Sequence, residues 1–286
     1  MDVERDITVV VKTFERPDAL RRLVASIRRF YSHVAVLVVD DSAESLEPVP
    51  ASITRYVHAP YNSLGAAGGR NLGLAAVDTP YVLFCDDDMV FERRTDLGRM
   101  LHVLESTPFD LVSCVWLDHD PWTGICRGPR RFEGTLDTED GVLVHRLGET
   151  RGMVDGLPVF DVVHQFFIAS RERLGDDPWD AELNLSEHYE LFLSLKERGL
   201  LSTRLPDVVV QHRQELPPGY QEMREDTRRY VDAWQAKRGL AGVREEGDLF
   251  RPSDRIRYSL PSAAAYTGRR VARAARRVML EGRLRA

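Results

Sequence analysis

The sequence predicts an α/β domain on a mostly parallel central sheet, and three observations carry that prediction. Ile7-Thr8-Val9-Val10-Val11 is a continuous β-branched run, the composition of a strand covered on both faces. Leu20, Leu23, Val24, Ile27 and Phe30 recur at helical spacing, and Val34 to Val39 is a second strand, so strand, helix and strand follow one another as in a parallel crossover. Tyr81 to Cys85 is a third buried strand and runs straight into Asp86, Asp87 and Asp88.

Each element has a local reason. Pro17 suits the first turn of the helix that ends near Phe30, with arginines on its wet face. The second strand ends in Asp40-Asp41-Ser42, and Tyr56-Val57 is a short further strand. Ser63 to Asn71 enters a helix through small residues, which let backbone approach a ligand or a neighbouring element, and Arg70 is placed to meet phosphate. The spacing matches neither a dinucleotide fingerprint nor a Walker loop. In a parallel sheet ligands bind beyond the carboxyl ends of the strands, where Thr13, Asp41 and Asp88 all fall. Three adjacent carboxylates add nothing to packing, and hard oxygen ligands suit Mg²⁺ or Mn²⁺ holding a diphosphate. A solvated acidic turn is the competing reading of the triplet taken alone.

Composition frames these motifs. The chain has 286 residues, a net charge of −6 and three cysteines without metal-ligand spacing. That argues against a zinc site or a disulfide framework and for a reducing cytoplasm. Residues 255–286 carry nine arginines against one acid, leaving −14 on residues 1–254. The basic tail is amphipathic as a helix. Anionic lipid at the inner face of a membrane, a second subunit and the acidic body are its alternative partners.

Lys12-Thr13-Phe14, Val39-Asp40-Asp41-Ser42, Gly69-Arg70-Asn71-Leu72 and Tyr81 to Asp88, in this order, resemble a GT-A glycosyltransferase of the family 2 type. Within it the chain is most similar to the catalytic domain of the animal β-1,4-N-acetylgalactosaminyltransferases that make ganglioside sugars, over about residues 6 to 213. Ser26 to Tyr31 and Leu104 to Val112 add to the likeness. The resemblance implies a GT-A sheet flanked by helices: a nucleotide-sugar half (1–110), an acceptor and catalytic half (111–215), a helical extension (216–250) and the basic tail (251–286).

It also implies roles. Thr13, Asp41, Arg70, Asp86 and Asp87 would meet a nucleotide, probed best as a UDP-sugar. Asp86, Asp88 and His212 would hold Mn²⁺ or Mg²⁺, an imidazole favouring Mn²⁺. Asp161 and Gln165 would contact sugar hydroxyls. Glu190, in a segment resembling the family's His-x-Glu-Phe-Phe stretch, would be the base of an inverting transfer, with Glu187 one turn earlier as its alternate. Trp116 and Trp122 read first as core aromatics and second as sugar-stacking rings, and His164 as a packed histidine. Glu133 to Arg146 reads as a hairpin, Leu205 to Gln211 as a last strand, Gly219 to Arg238 as a long helix and 239–262 as an irregular linker. The acceptor is expected to be a glycan, glycolipid or small molecule, with no nucleic acid involved. A nucleotidyltransferase and an inactive binding protein of the same fold are the alternatives. The former lacks its glycine-rich basic loop after the first strand.

Overall fold

A computed structural model describes residues 2–183, 187–218, 220–221 and 227–250. After a single helical turn, α1 (Val3–Asp6), the β-branched run forms β1 (Ile7–Thr13). Its pleat sends Val9 and Val11 into one core and Val10 into the other. Helix α2 (Pro17–Phe30) starts on its proline and buries Leu20, Leu23, Val24 and Ile27 in the first core. Strand β2 (Ala35–Asp40) then pairs parallel to β1, and β3 (Arg55–His58) parallel to β2.

Helix α3 (Gly65–Ala75) crosses to the other side of β1 and delivers β4 (Tyr81–Asp86). The small residues of α3 are there for the strand beneath it. A Cβ on Gly73 would stand 2.5 Å from Val10 Cγ1, and one on Gly69 would stand 2.2 Å from Lys12 Cδ. Of the two roles open to the glycines, close approach to a neighbouring element accounts for these positions.

The chain continues through β5 (Met89–Val90), α4 (Leu97–Ser106), β6 (Leu111–His119) and β7 (Cys126–Arg130). The expected hairpin is β8 (Gly134–Glu139) and β9 (Val142–Leu147), turning through Asp140-Gly141 at positive φ. Then come the small hairpin β10 (Gly152–Val154) and β11 (Leu157–Val159), β12 (Phe167–Ser170), α5 (Arg171–Leu174), α6 (Glu187–Glu197), β13 (Ser202–His212), α7 (Thr227–Arg238) and β14 (Gly242–Glu246).

The main sheet runs β3-β2-β1-β4-β12-β6-β13-β5, with β7 attached to β6. β12 is antiparallel to both its neighbours, as β5 is to β13 and β7 to β6, whereas β13 runs parallel to β6; six of the nine strands therefore point the same way. Strands from both expected halves share it. Helices α2 and α4 cover one face, and α3, α6 and Trp234 of α7 the other.

Two expectations need correction. Residues 242–246 are a strand, not linker: β14 pairs parallel to β9 and completes a small sheet β14-β9-β8. Trp122 is 77% exposed, so it is no core aromatic. The basic tail, 251–286, lies outside the described residues.

Candidate active site

Register decides which side chains meet. Lys12 of β1 lies opposite Asp86 of β4, and Thr13 opposite Asp40 of β2, so the carboxyl ends of three parallel strands finish on one edge. A cleft of about 350 Å³ opens there. At one end are Lys12, Thr13, Phe14, Asp41, Asn62, Gly65 and Ala66. Asp41 pairs with Lys12 and accepts from the backbone N–H groups of Leu64 (3.0 Å) and Gly65 (3.2 Å), which cap the start of α3. Burial pushes the Lys12 ammonium down against the opposing pull of Asp41.

The acidic triplet divides at the end of β4. Asp86 and Asp88 line the cleft, whereas Asp87, in the turn between β4 and β5, is fully buried. Asp87 accepts from Thr13 Oγ1 at 2.7 Å and from Arg16 Nε at 3.2 Å. The expectation that Asp87 touches nucleotide is therefore corrected, because its carboxylate braces the loop after β1. Arg16 also donates to Asp88 Oδ2 at 2.7 Å. Burial opposes ionisation of both carboxyls. It wins at Asp87, whose pKa rises, and loses at Asp88, which Arg16 and His212 hold well below the usual range.

Arg70 of α3 is buried between Asp86 (2.8 Å) and Glu187. His212, ending β13, is held by Asp118 from the end of β6 at 2.6 Å, and its other nitrogen lies 3.5 Å from Asp88 Oδ1. Burial disfavours the imidazolium, but Asp88 and Asp118 raise its pKa to about 10.

These residues fit a divalent cation in part. Among the described residues Asp88 Oδ1 is buried without a hydrogen-bond partner, and it lies 3.5 Å from His212 Nε2, which would become a second ligand on giving up its proton to solvent as the ion binds. Among the described residues no three His, Cys, Asp or Glu side chains form a closed cage. The donor set suits an ion completed by diphosphate oxygens and water.

Gln165, 2% exposed, also lines the cleft, and among the described residues both its amide atoms lack partners. Trp116 Nε1 is likewise buried and unpartnered. The Trp116 ring stacks on His164 at 4.3 Å, and His164 Nε2–H donates to Arg130 O (2.8 Å), the packed role expected of it. An unpaired buried polar group costs about 1–3 kcal/mol. Three such atoms in one wall are a place where a polar ligand belongs.

The two candidate bases part company. Glu187 opens α6 and lines the cleft; burial resists its ionisation, but His188 and Arg70 hold its pKa below the ordinary value. Glu190 is absent from the cleft wall. It accepts from Trp234 Nε1 (2.8 Å) and from Arg238 Nε and Nη2 (both 2.7 Å), tying α6 to α7. Its expected role as base is corrected accordingly. Asp161 is corrected for a similar reason: it is absent from the cleft wall, and its Oδ2 is shared by Arg151 (2.6 Å), Lys196 (3.0 Å) and the Leu136 N–H (2.7 Å).

With this geometry in hand, comparison with known proteins is decisive. The model of "Glycosyl transferase family 2" matches residues 8–175. The chain belongs to this family. Among its relatives, human β-1,4 N-acetylgalactosaminyltransferase 1 is 37% identical over 215 residues, covering 73% of this chain and 39% of the human protein. Mouse β-1,4 N-acetylgalactosaminyltransferase 2 is 33% identical over 218 residues, covering 74% and 40%. The chain thus spans about two-fifths of the length of these curated relatives. A pre-mycofactocin glycosyltransferase of Mycobacterium tuberculosis is 40% identical over 94 residues, 31% of this chain and 19% of that one. The S. aureus TarS 1–349 structure in complex with UDP-GlcNAc superposes with a TM-score of 0.56 at 16% identity, covering 80% of this chain and 65% of TarS. The fold is the GT-A arrangement that the sequence predicts.

Several residues of this family 2 site escaped sequence reading. Arg16 sits where a helix N-cap is expected yet makes no cap bond, and a buried acidic partner was the only signal for it. Asp118 became visible only through its strand register with His212. His188, Tyr189, Arg130 and Glu245 line the cleft from elements that no local pattern joins.

Proposed function

We propose that the chain transfers a hexose or N-acetylhexosamine from a uridine diphosphate sugar to an acceptor hydroxyl, with inversion and with a divalent cation held at Asp88 and His212. Family membership, relatives named N-acetylgalactosaminyltransferases and a fold neighbour crystallised with UDP-GlcNAc support the donor class.

The observation that carries the cation is the pairing of charge in the donor half. Lys12 is taken by Asp41, Arg16 by Asp87 and Asp88, and Arg70 by Asp86 and Glu187. Among the described residues, a diphosphate entering alone thus finds these three cations already paired; Arg130, which makes no ion pair, also lines the cleft. A divalent ion at Asp88 and His212 would supply the missing charge as the diphosphate leaves. Around it, Thr13 and Asp41 receive the nucleoside, and Arg70 steadies Asp86 and Glu187 across the diphosphate. Gln165 gives the donor sugar one hydrogen-bond donor and one acceptor. Glu187, ionised at neutral pH, takes the proton of the attacking hydroxyl.

The test is UDP release from a panel of UDP-hexoses and UDP-N-acetylhexosamines, with Mn²⁺ and with chelator, followed by NMR of the product anomer. Metal-dependent release and an inverted product are expected. Release indifferent to chelator, or a retained anomer, overturns the reading.

A further inference from the structure

We propose that the end of the cleft away from Lys12 and Asp41 is an acceptor subsite for a hexose, built by Phe132, Tyr189, Arg130 and Glu245. This rests on the function proposed above and deepens it by placing the sugar that carries the attacking hydroxyl. Two of its four residues, Tyr189 of α6 and Glu245 of β14, lie beyond the family-matched residues 8–175.

The wall of this subsite is aromatic. Phe132 lies 5.8 Å from His164, 6.0 Å from His188 and 5.9 Å from Tyr189, centroid to centroid. With Trp116 stacked on His164, the rings form an unbroken row from the metal end to Tyr189. Such a surface suits the C–H face of a pyranose. It starts beside Gln165 and Glu187, so a sugar lying on it presents a hydroxyl to the base.

The polar atoms suit a sugar's edge. Glu245 lines the cleft; its Oε1 accepts from Tyr189 O–H at 2.7 Å, and its Oε2 has no protein partner among the described residues. His145 first, and Tyr189 after it, hold the Glu245 carboxyl at about 2 against burial, so an anion faces the cleft. Arg130 lines the same space, and among the described residues its guanidinium makes no ion pair. One acceptor and one donor fork that the protein leaves uncommitted match vicinal hydroxyls.

The subsite is braced from behind. His145, fully buried, sets Nδ1 3.0 Å from the Tyr189 oxygen and donates from Nε2 to Phe132 O at 2.9 Å. Trp234 stacks behind Tyr189 at 5.7 Å, and the parallel register of β14 sets Glu245 directly opposite His145. Preorganisation of this kind serves recognition.

The experiment uses p-nitrophenyl β-galactoside, β-glucoside and N-acetyl-β-glucosaminide with the full chain, the UDP-sugar that the wild type cleaves, and Mn²⁺. The wild type is expected to transfer to at least one. Glu245→Ala should raise the KM for that glycoside by about ten- to a hundredfold, the loss of a charge-assisted hydrogen bond, while the KM for the nucleotide sugar stays within about twofold. Saturation-transfer NMR with UDP and Mn²⁺ gives a second readout: glycoside signals present with wild type and lost with Glu245→Ala. An unchanged glycoside KM, or both KM values rising together, overturns the subsite. If the wild type releases UDP but neither uses nor binds any glycoside, the subsite falls and the donor reading stands. If no UDP is released and no glycoside binds, both fall.

Discussion

Replacing Glu190 with glutamine separates the two carboxylates of α6 by consequence. Glu190 makes three hydrogen bonds of 2.7–2.8 Å to Trp234 and Arg238, and its side chain is only 10% exposed. Glutamine keeps an acceptor for Trp234 but loses the charge that holds Arg238. Arg238 is a fifth exposed and retains Glu197, which softens the loss. A net cost of about 1–2 kcal/mol follows for Glu190→Gln. Glu190→Ala also strands the buried Trp234 N–H, which brings the total to about 3 kcal/mol. For a chain of this size each kcal/mol moves Tm by about 2–4 °C. Scanning calorimetry should therefore find both variants less stable, alanine the more so. Transfer by folded Glu190→Gln at 25 °C should stay within about threefold of wild type, whereas Glu187→Gln should lose on the order of 10²–10⁴ in kcat. A Glu190→Gln protein with unchanged Tm and transfer reduced a hundredfold or more would refute this reasoning and return the base to Glu190.

Further outcomes follow from the same contacts. Asp88→Asn should abolish the rise in Tm that Mn²⁺ with UDP gives the wild type, a gain of about 2.7 kcal/mol at a hundred times Kd, read by scanning fluorimetry. Glu187 is held below its ordinary 4.5, so its ionised form stabilises the fold above that pH and the gain is lost as pH falls through the lower folded value. Urea midpoints should then show Glu187→Gln losing less stability than wild type on acidification below 4.5. Gly73→Ala places a Cβ 2.5 Å from Val10 Cγ1 in the core, and overpacking there should cost about 1–3 kcal/mol by urea denaturation without changing the KM for the nucleotide sugar.

The parallel half of the fold was legible because its signals are local. A β-branched run, a helix repeating at three and four and an aromatic run ending in acid each name their element within a dozen residues. Motif order then brought Thr13, Asp41, Arg70, Asp88 and His212 to one edge; the register of β1, β2 and β4 puts Thr13, Asp41 and Asp88 there in the structure, and Arg70 reaches it from α3 by pairing with Asp86. His212 arrives by a longer route, as the last residue of β13 beside Asp118.

Glu190 shows where local reading stops. Glu187 and Glu190 are three residues apart, about 4.5 Å along the helix axis and on neighbouring faces. Which one meets the cleft depends on what packs against the next turn. That partner is α7, whose Trp234 and Arg238 are more than forty residues downstream and bear no pattern tying them to α6. Glu245 is the stronger case. Gly242-Val243-Arg244-Glu245-Glu246 has a single strongly apolar residue, too little to announce a strand. It becomes one because β9 offers a free edge a hundred residues earlier in the chain, and backbone pairing there needs no side-chain pattern. The donor end of the cleft is thus marked by local motifs, even though its contacts join Thr13 to Asp87 and His212 to Asp118 across long separations. The opposite end is assembled from pairings over long separations, and a single sequence carries little trace of those.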